Sequence, residues 1–75
     1  MKLVELPFNK LAKIRSVDKQ IIGRLSAMGV VPGSEIKIIR ASPLGDPLEL
    51  EIMNYKLSLR KSECKLIEVE VVQGG

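Results

Sequence analysis

Histidine and tryptophan are absent from this 75-residue chain, cysteine occurs once, and the aromatic side chains are only Phe8 and Tyr55. Without histidine, no Ser/His/Asp or Cys/His catalytic arrangement can be built. With a single thiol, there is no disulfide framework and no Cys/His cluster of the kind that holds zinc or other transition metals. Nor is there a Walker-type phosphate loop, because Gly29 to Gly33 runs into Ser34 without the lysine such a loop needs. These absences argue against an enzyme and leave no catalytic residue, metal ligand or cofactor to assign. Long apolar runs are missing too: Leu3, Val4 and Leu6 are interrupted by Glu5 and Pro7, far short of the roughly 20 residues that cross a bilayer. The reading is a soluble chain in a reducing, cytoplasmic setting, with no direct membrane insertion.

Charge of one sign is also scarce as a block. Twelve basic and nine acidic residues are interspersed and leave a net charge of +3. A dedicated nucleic-acid binder of this size carries a denser Lys/Arg stripe, often with aromatics that stack on bases. Nucleic acid is therefore not the expected partner, although a basic small barrel keeps it as the alternative from a different class. A chain this short forms one domain, spanning 1–75 with a loose tail over 72–75. It buries only about 60% of its unfolded surface, so it must be compact and short-looped.

What is present is mostly strand pattern. Lys2 to Leu6 reads as a short strand or extended lead-in, and Leu11 to Val17 as a strand with Ala12 and Ile14 inward and Lys13 and Arg15 outward. Asp18 can cap the next segment, Gln20 to Met28, where Ile21, Leu25 and Met28 recur at helical spacing and Gly29 supplies a stop. Val31-Pro32-Gly33-Ser34 has the Pro-Gly order of a type II turn. Glu35 to Ala41 and Leu48 to Met53 then alternate as strands, the second with Leu48, Leu50 and Ile52 inward. Asn54-Tyr55 turns the chain into Lys56 to Arg60, Lys61 to Cys64 allows one helical turn, and Lys65 to Val72 closes as a strand. The pattern predicts a mainly β fold: a closed or nearly closed SH3-like barrel of about five or six strands, with one short α-helix between the first and second barrel strands.

Between the two best-patterned strands lies Ser42-Pro43-Leu44-Gly45-Asp46-Pro47. Each proline fixes its own φ and drives the residue before it toward extended geometry, while Gly45 can take a positive φ. The sequence thus specifies a stiff, exposed bend. Leu44 and Asp46 are the residues such a bend offers to a partner, and Pro43, Gly45 and Pro47 hold them in place.

Three motifs, Arg24 to Gly33, Pro43 to Pro47 and Leu57 to Cys64, together resemble the ferrous iron transport protein A family, and the likeness runs from about Leu3 to Val71. A similar domain is fused to some bacterial metal-dependent repressors. Asn9 and Asn54 stand where that family often has glycine, and Cys64 where it often has alanine. The resemblance implies an SH3-like barrel acting beside a membrane ferrous iron transporter that carries a GTPase domain, as an accessory or regulator working through protein contact. The expected partner-binding residues are Leu25, Met28, Leu44 and Asp46, scaffolded by Pro32, Gly33, Pro43, Gly45 and Pro47. The plainer reading of Leu25 and Met28 is core, and of Cys64 a buried small residue. Arg24 and Arg60 are expected to brace the barrel through a carboxylate or a loop carbonyl, Asp46 being one candidate partner. Weak self-association, or a metal-responsive assembly role like that of the repressor domain, is compatible with the same features.

Overall fold

A computed structural model of the chain describes residues 1–72. A 3₁₀ turn at Leu3–Glu5 is followed by β1 (Ala12–Val17), α1 (Ile22–Ser26), β2 (Glu35–Ala41), β3 (Leu48–Ile52), β4 (Tyr55–Leu59), α2 (Lys61–Cys64) and β5 (Ile67–Val71). The strands form one antiparallel sheet in the order β4-β3-β2-β1-β5. Ile14, Ile38, Leu50, Leu59 and Val69, one from each strand, meet in a single buried core. Side chains from both ends of the sheet can share one core only if the sheet curls on itself, which gives the barrel-like shape. The curl stops short of closure, since β4 and β5 do not pair.

Two one-residue bulges set which side chains reach that core. The β1–β5 register shifts between Ile14 and Ser16, and the β2–β3 register between Ile38 and Arg40. An extra residue reverses the in-out alternation beyond it. Val17 is therefore buried although it lies three positions from Ile14, and Ala41 packs on the core three positions from Ile38.

Local chemistry explains where the elements begin and end. The lead-in expected as a strand over Lys2 to Leu6 is instead a 3₁₀ turn with one bridge, from Lys2 to Glu68. Glu5 causes this: its carboxylate accepts the Lys2 N–H at 2.8 Å while its own N–H donates to the Lys2 carbonyl at 2.9 Å. Leu3 and Leu6 then fall on the same side and are both buried. The helix is shorter than its apolar spacing suggests. Asp18 holds a turn before it, its carboxylate accepting the Gln20 N–H at 2.9 Å and its carbonyl accepting from Ile21 and Ile22. Beyond the helix, Val30 N–H donates to the Leu25 carbonyl and Gly29 N–H to the Ser26 carbonyl, both at 3.0 Å, with Gly29 at φ 85°. This is a Schellman closure, and it requires the left-handed residue that Gly29 supplies.

The remaining turns follow suit. Ser34 N–H donates to the Val31 carbonyl at 3.1 Å with Gly33 at φ 94°, the type II turn expected of Pro32-Gly33. Asn9 takes φ 63°. The β3–β4 hairpin turns on Met53 and Asn54, with φ 55° and 107°, one residue earlier than the sequence suggested. Two consecutive positive φ values are the geometry that matches strand twist in a two-residue loop. Val72, assigned to the loose tail, donates its N–H to the Leu11 carbonyl at 3.0 Å, and residues 73–75 lie outside the described residues.

The two glycines of the α1 region should respond in opposite directions to alanine. A Cβ on Gly23 meets nothing within 4 Å, whereas one on Gly29 would lie 3.1 Å from the Tyr55 hydroxyl on a positive-φ backbone. Gly23→Ala should raise the urea-unfolding free energy by about 0.5–1 kcal/mol, and Gly29→Ala should lower it by about 1 kcal/mol or more. Equal effects of the two substitutions would contradict this account of the helix end.

Candidate functional site

The proline-bracketed bend joins β2 to β3 and is tied internally and externally. Ser42 N–H donates to the Pro47 carbonyl at 3.0 Å, and Gly45 N–H, at φ 89°, donates to the Ser42 carbonyl at 2.7 Å. The Asp46–Pro47 peptide is cis. At the tip Leu44 is 96% exposed, the most exposed large apolar residue described. Asp46 is occupied: its Oδ1 accepts the Lys61 N–H at 3.0 Å, satisfying a donor in the first turn of α2 and fastening the bend to it.

Glu63 is the second anchor of this end. Its Oε1 accepts the Arg60 N–H at 2.9 Å, the reach-back half of a capping box, while Oε2 accepts from the Arg24 guanidinium across on α1. The Arg24 hydrogen bond first, and the Arg60 N–H second, hold the Glu63 carboxyl below its ordinary value of 4.5. Arg24 therefore does brace the barrel through a carboxylate, but the partner is Glu63 and not Asp46, because Asp46 is spent on α2.

Cys64 ends α2 fully buried. Burial pushes its thiol up to about 12, with the Glu63 and Asp46 carboxylates adding to the shift. A neutral, inaccessible thiol is a packing residue, not a reactive one. Around these anchors lies a groove of about 470 Å³ lined by Arg24, Pro47, Ser58, Arg60, Ser62 and Glu63. No group of three or more Cys, Asp or Glu side chains that could hold a metal ion occurs among the described residues, and no helix is long and apolar enough to cross a membrane.

The residues proposed from sequence as one contact surface are not gathered together. Leu25 is fully buried, so it belongs to the core and cannot meet a partner; the inward stripe of a five-residue helix has room for little else. Met28 is half-buried and packs on the core. Its neighbour Gly29 sits against Tyr55 and Met53 at the hairpin end of β3, whereas Leu44 and Asp46 lie at the opposite end. At about 3.3 Å per residue those ends are roughly 15 Å apart. Pro32 and Gly33 shape the separate turn that feeds β2. Sequence reading missed the exposed pair Met53 and Tyr55, although a methionine beside Asn54 at a hairpin tip is the available signal.

Glu63 makes stability at this end pH-dependent. Its folded pKa is depressed, so its contribution is present above the ordinary glutamate range and is lost as pH falls through the lowered value. Glu63→Gln should destabilise by about 1 kcal/mol near neutral pH, with the gap to wild type closing as the medium becomes acidic. Denaturant melts at a series of pH values would show it, and a gap independent of pH would contradict it. Cys64 should resist iodoacetamide at about pH 8 in the folded chain and react only in denaturant. Rapid labelling of the native protein would contradict its inert placement.

Comparisons with known proteins agree with this architecture. The sequence pattern of the FeoA domain matches residues 1–71. A relative from Porphyromonas gingivalis, an Fe(2+) transport protein A/Fe(2+) transporter FeoB fusion protein, is 36% identical over 77 residues, covering 100% of this chain and 9% of that protein. The solution structure of iron(II) transport protein A from Clostridium thermocellum is 44% identical with a TM-score of 0.87, over 96% of this chain and 46% of that one. Stenotrophomonas maltophilia FeoA complexed with zinc, described as a prokaryotic SH3 domain protein, is 33% identical with a TM-score of 0.80, over 93% and 89%. With the SH3-like curl of the sheet already established from its core, these matches mean that the chain belongs to the FeoA family.

Proposed function

We propose that this chain is a non-enzymatic, cytoplasmic accessory domain of bacterial ferrous iron uptake. It works by contact with the cytoplasmic part of a membrane ferrous iron transporter, and ferrous iron is that transporter's cargo. One observation carries the reading: in the Porphyromonas gingivalis relative, a segment matching this whole chain is joined covalently to the transporter FeoB. Tethering raises the effective concentration of two modules that work together, often to the millimolar range. The stiffness of the Ser42–Pro47 bend supports a binding role, since a preformed loop loses little freedom on docking. Leu44 supplies the apolar contact at one end of β3, with Met28 at the other, where the adjacent Gly29 lies against Met53 and Tyr55.

The outer surface offers little to nucleic acid. Arg15 pairs with Glu70 at 3.3 Å and Arg40 with Glu49 at 3.0 Å, while Glu51 stands between Lys37 and Lys56 across the strands. Alternating charge of this kind makes no continuous basic stripe.

Leu44→Asp should leave stability within about 0.5 kcal/mol of wild type, as expected of an exposed site. It should nonetheless weaken capture of the transporter's cytoplasmic domain by about tenfold or more. Met28→Asp tests the other end once its fold is verified by circular dichroism. Unchanged capture by both variants would remove the proposed surface, and tight oligonucleotide binding with a steep salt slope would replace the reading altogether.

A further inference from the structure

The two ends of the sheet are treated differently. Along the outer edge of β5, Met1 exchanges backbone hydrogen bonds with Val69 and Lys2 bridges Glu68, so that edge is covered. β4 forms the other end. Its register with β3 pairs Ile52 with Tyr55 across a two-residue hairpin, so Tyr55, Leu57 and Leu59 direct their backbone groups to β3 and Lys56 and Ser58 direct theirs away. Both of these residues are exposed, and β4 pairs only with β3 among the described residues, so the ladder leaves their backbone N–H and C=O groups turned outward.

The α1 region meets the two ends of β4. Gly29, in the turn beyond the helix, lies against Tyr55 at the start of β4, and Arg24 on α1 reaches Glu63 just past the end of β4. The 470 Å³ groove at the C-terminal end of β4 is lined by Ser58 and Arg60 together with Arg24, Pro47, Ser62 and Glu63. An exposed strand edge beside a side-chain groove is the setting in which extended peptides add to a sheet. The charge here selects what can add. Glu63 is already held by Arg24, Arg60 has no carboxylate within 4.0 Å among the described residues, and Lys61 follows it, while Lys56 at the other end of the edge faces Glu51 across the ladder. Pairing of two β4 edges would set Lys56 and Arg60 of one copy against those of the other, which like-charge repulsion opposes.

We propose that the outer edge of β4 is a docking site for an extended acidic peptide segment of a partner protein, which adds to the sheet as a sixth strand and lays a carboxylate between Arg24 and Arg60. A segment of about five residues matches the length of β4. This edge is distinct from Leu44 and does not depend on which protein Leu44 meets.

The test uses the ¹⁵N-labelled full chain and a blocked Thr-Val-Glu-Val-Glu-Val-Thr peptide, with a lysine-for-glutamate version as control. The glutamate peptide should shift the Lys56 and Ser58 amides and slow their exchange with solvent, with a Kd on the order of 0.1–1 mM. The lysine peptide should bind at least about tenfold more weakly. Ser58→Pro removes an outward donor at an edge position that tolerates proline and should abolish binding, while Arg60→Gln should weaken it about three- to tenfold. If Ser58→Pro does not fold, the peptide pair and Arg60→Gln still decide the matter. The proposal is overturned if the glutamate peptide leaves Lys56 and Ser58 unmoved, if both peptides bind equally, or if the chain self-pairs through β4. It is also overturned if inorganic phosphate alone moves Arg24 and Arg60 while the peptide does nothing, which would make the groove a small oxyanion site.

Discussion

The register of β2 against β3 is the constraint on which the remainder of the molecule depends. Ile36 faces Ile52 and Ile38 faces Leu50, and all four are fully buried. A slip of one residue would turn this aliphatic set outward and expose it, a loss of roughly 1.5–3 kcal/mol for each side chain. The bend from Ser42 to Pro47 fixes the slip at zero by joining Ala41 to its partner Leu48 through a short, internally bonded loop. β4 is then templated on β3 through a tight hairpin, and α2 follows from β4.

The polar ties extend that register to the end of the molecule that carries the Ser42–Pro47 bend. Asp46 leaves the bend and secures the first turn of α2, and Glu63 on α2 secures both its own helix start and Arg24 on α1. Two carboxylates thus connect the loop, both helices and the end of β4 without any buried charge. The arrangement leaves Leu44 projecting from a tethered base, which suits recognition by shape and suits no bond-making chemistry. The same ties leave the β4 edge open beside Arg60, so on the two proposals one barrel would offer two separate contacts, an apolar tip and a strand edge.

Much of the fold was legible in the sequence because its signals are local. Alternation located β2 and β3, Pro32-Gly33 named its turn, and Asn9, Asn54 and Gly29 all occupy the left-handed conformations their residue types suggest. What was not legible depends mostly on partners distant in sequence. Nothing near Asp46 says that it will choose the Lys61 N–H over an arginine, whereas the 3₁₀ turn at Lys2 rests on a local contact with Glu5 that the apolar pattern of Leu3, Val4 and Leu6 masked. The bulges at Arg15 and Ile39 are visible only as apolar residues spaced by three, a spacing shared with helices. The bend was legible as a loop, whereas the residues expected to share one surface with it are not gathered there. Leu25 was drawn into it by helical spacing that in fact serves the core, and the separation of Met28 from Leu44 follows from strand length, which no motif encodes.

The central claim is that the bend presents Leu44 to a membrane ferrous iron transporter. Placing a photo-crosslinking residue at position 44 in cells that make both proteins, and identifying the adducts by mass spectrometry, tests it most directly. The account predicts an adduct with the cytoplasmic part of the transporter that is absent when the crosslinker replaces exposed Lys19, before α1. Adducts confined to other proteins, or equal transporter adducts from both positions, would contradict it.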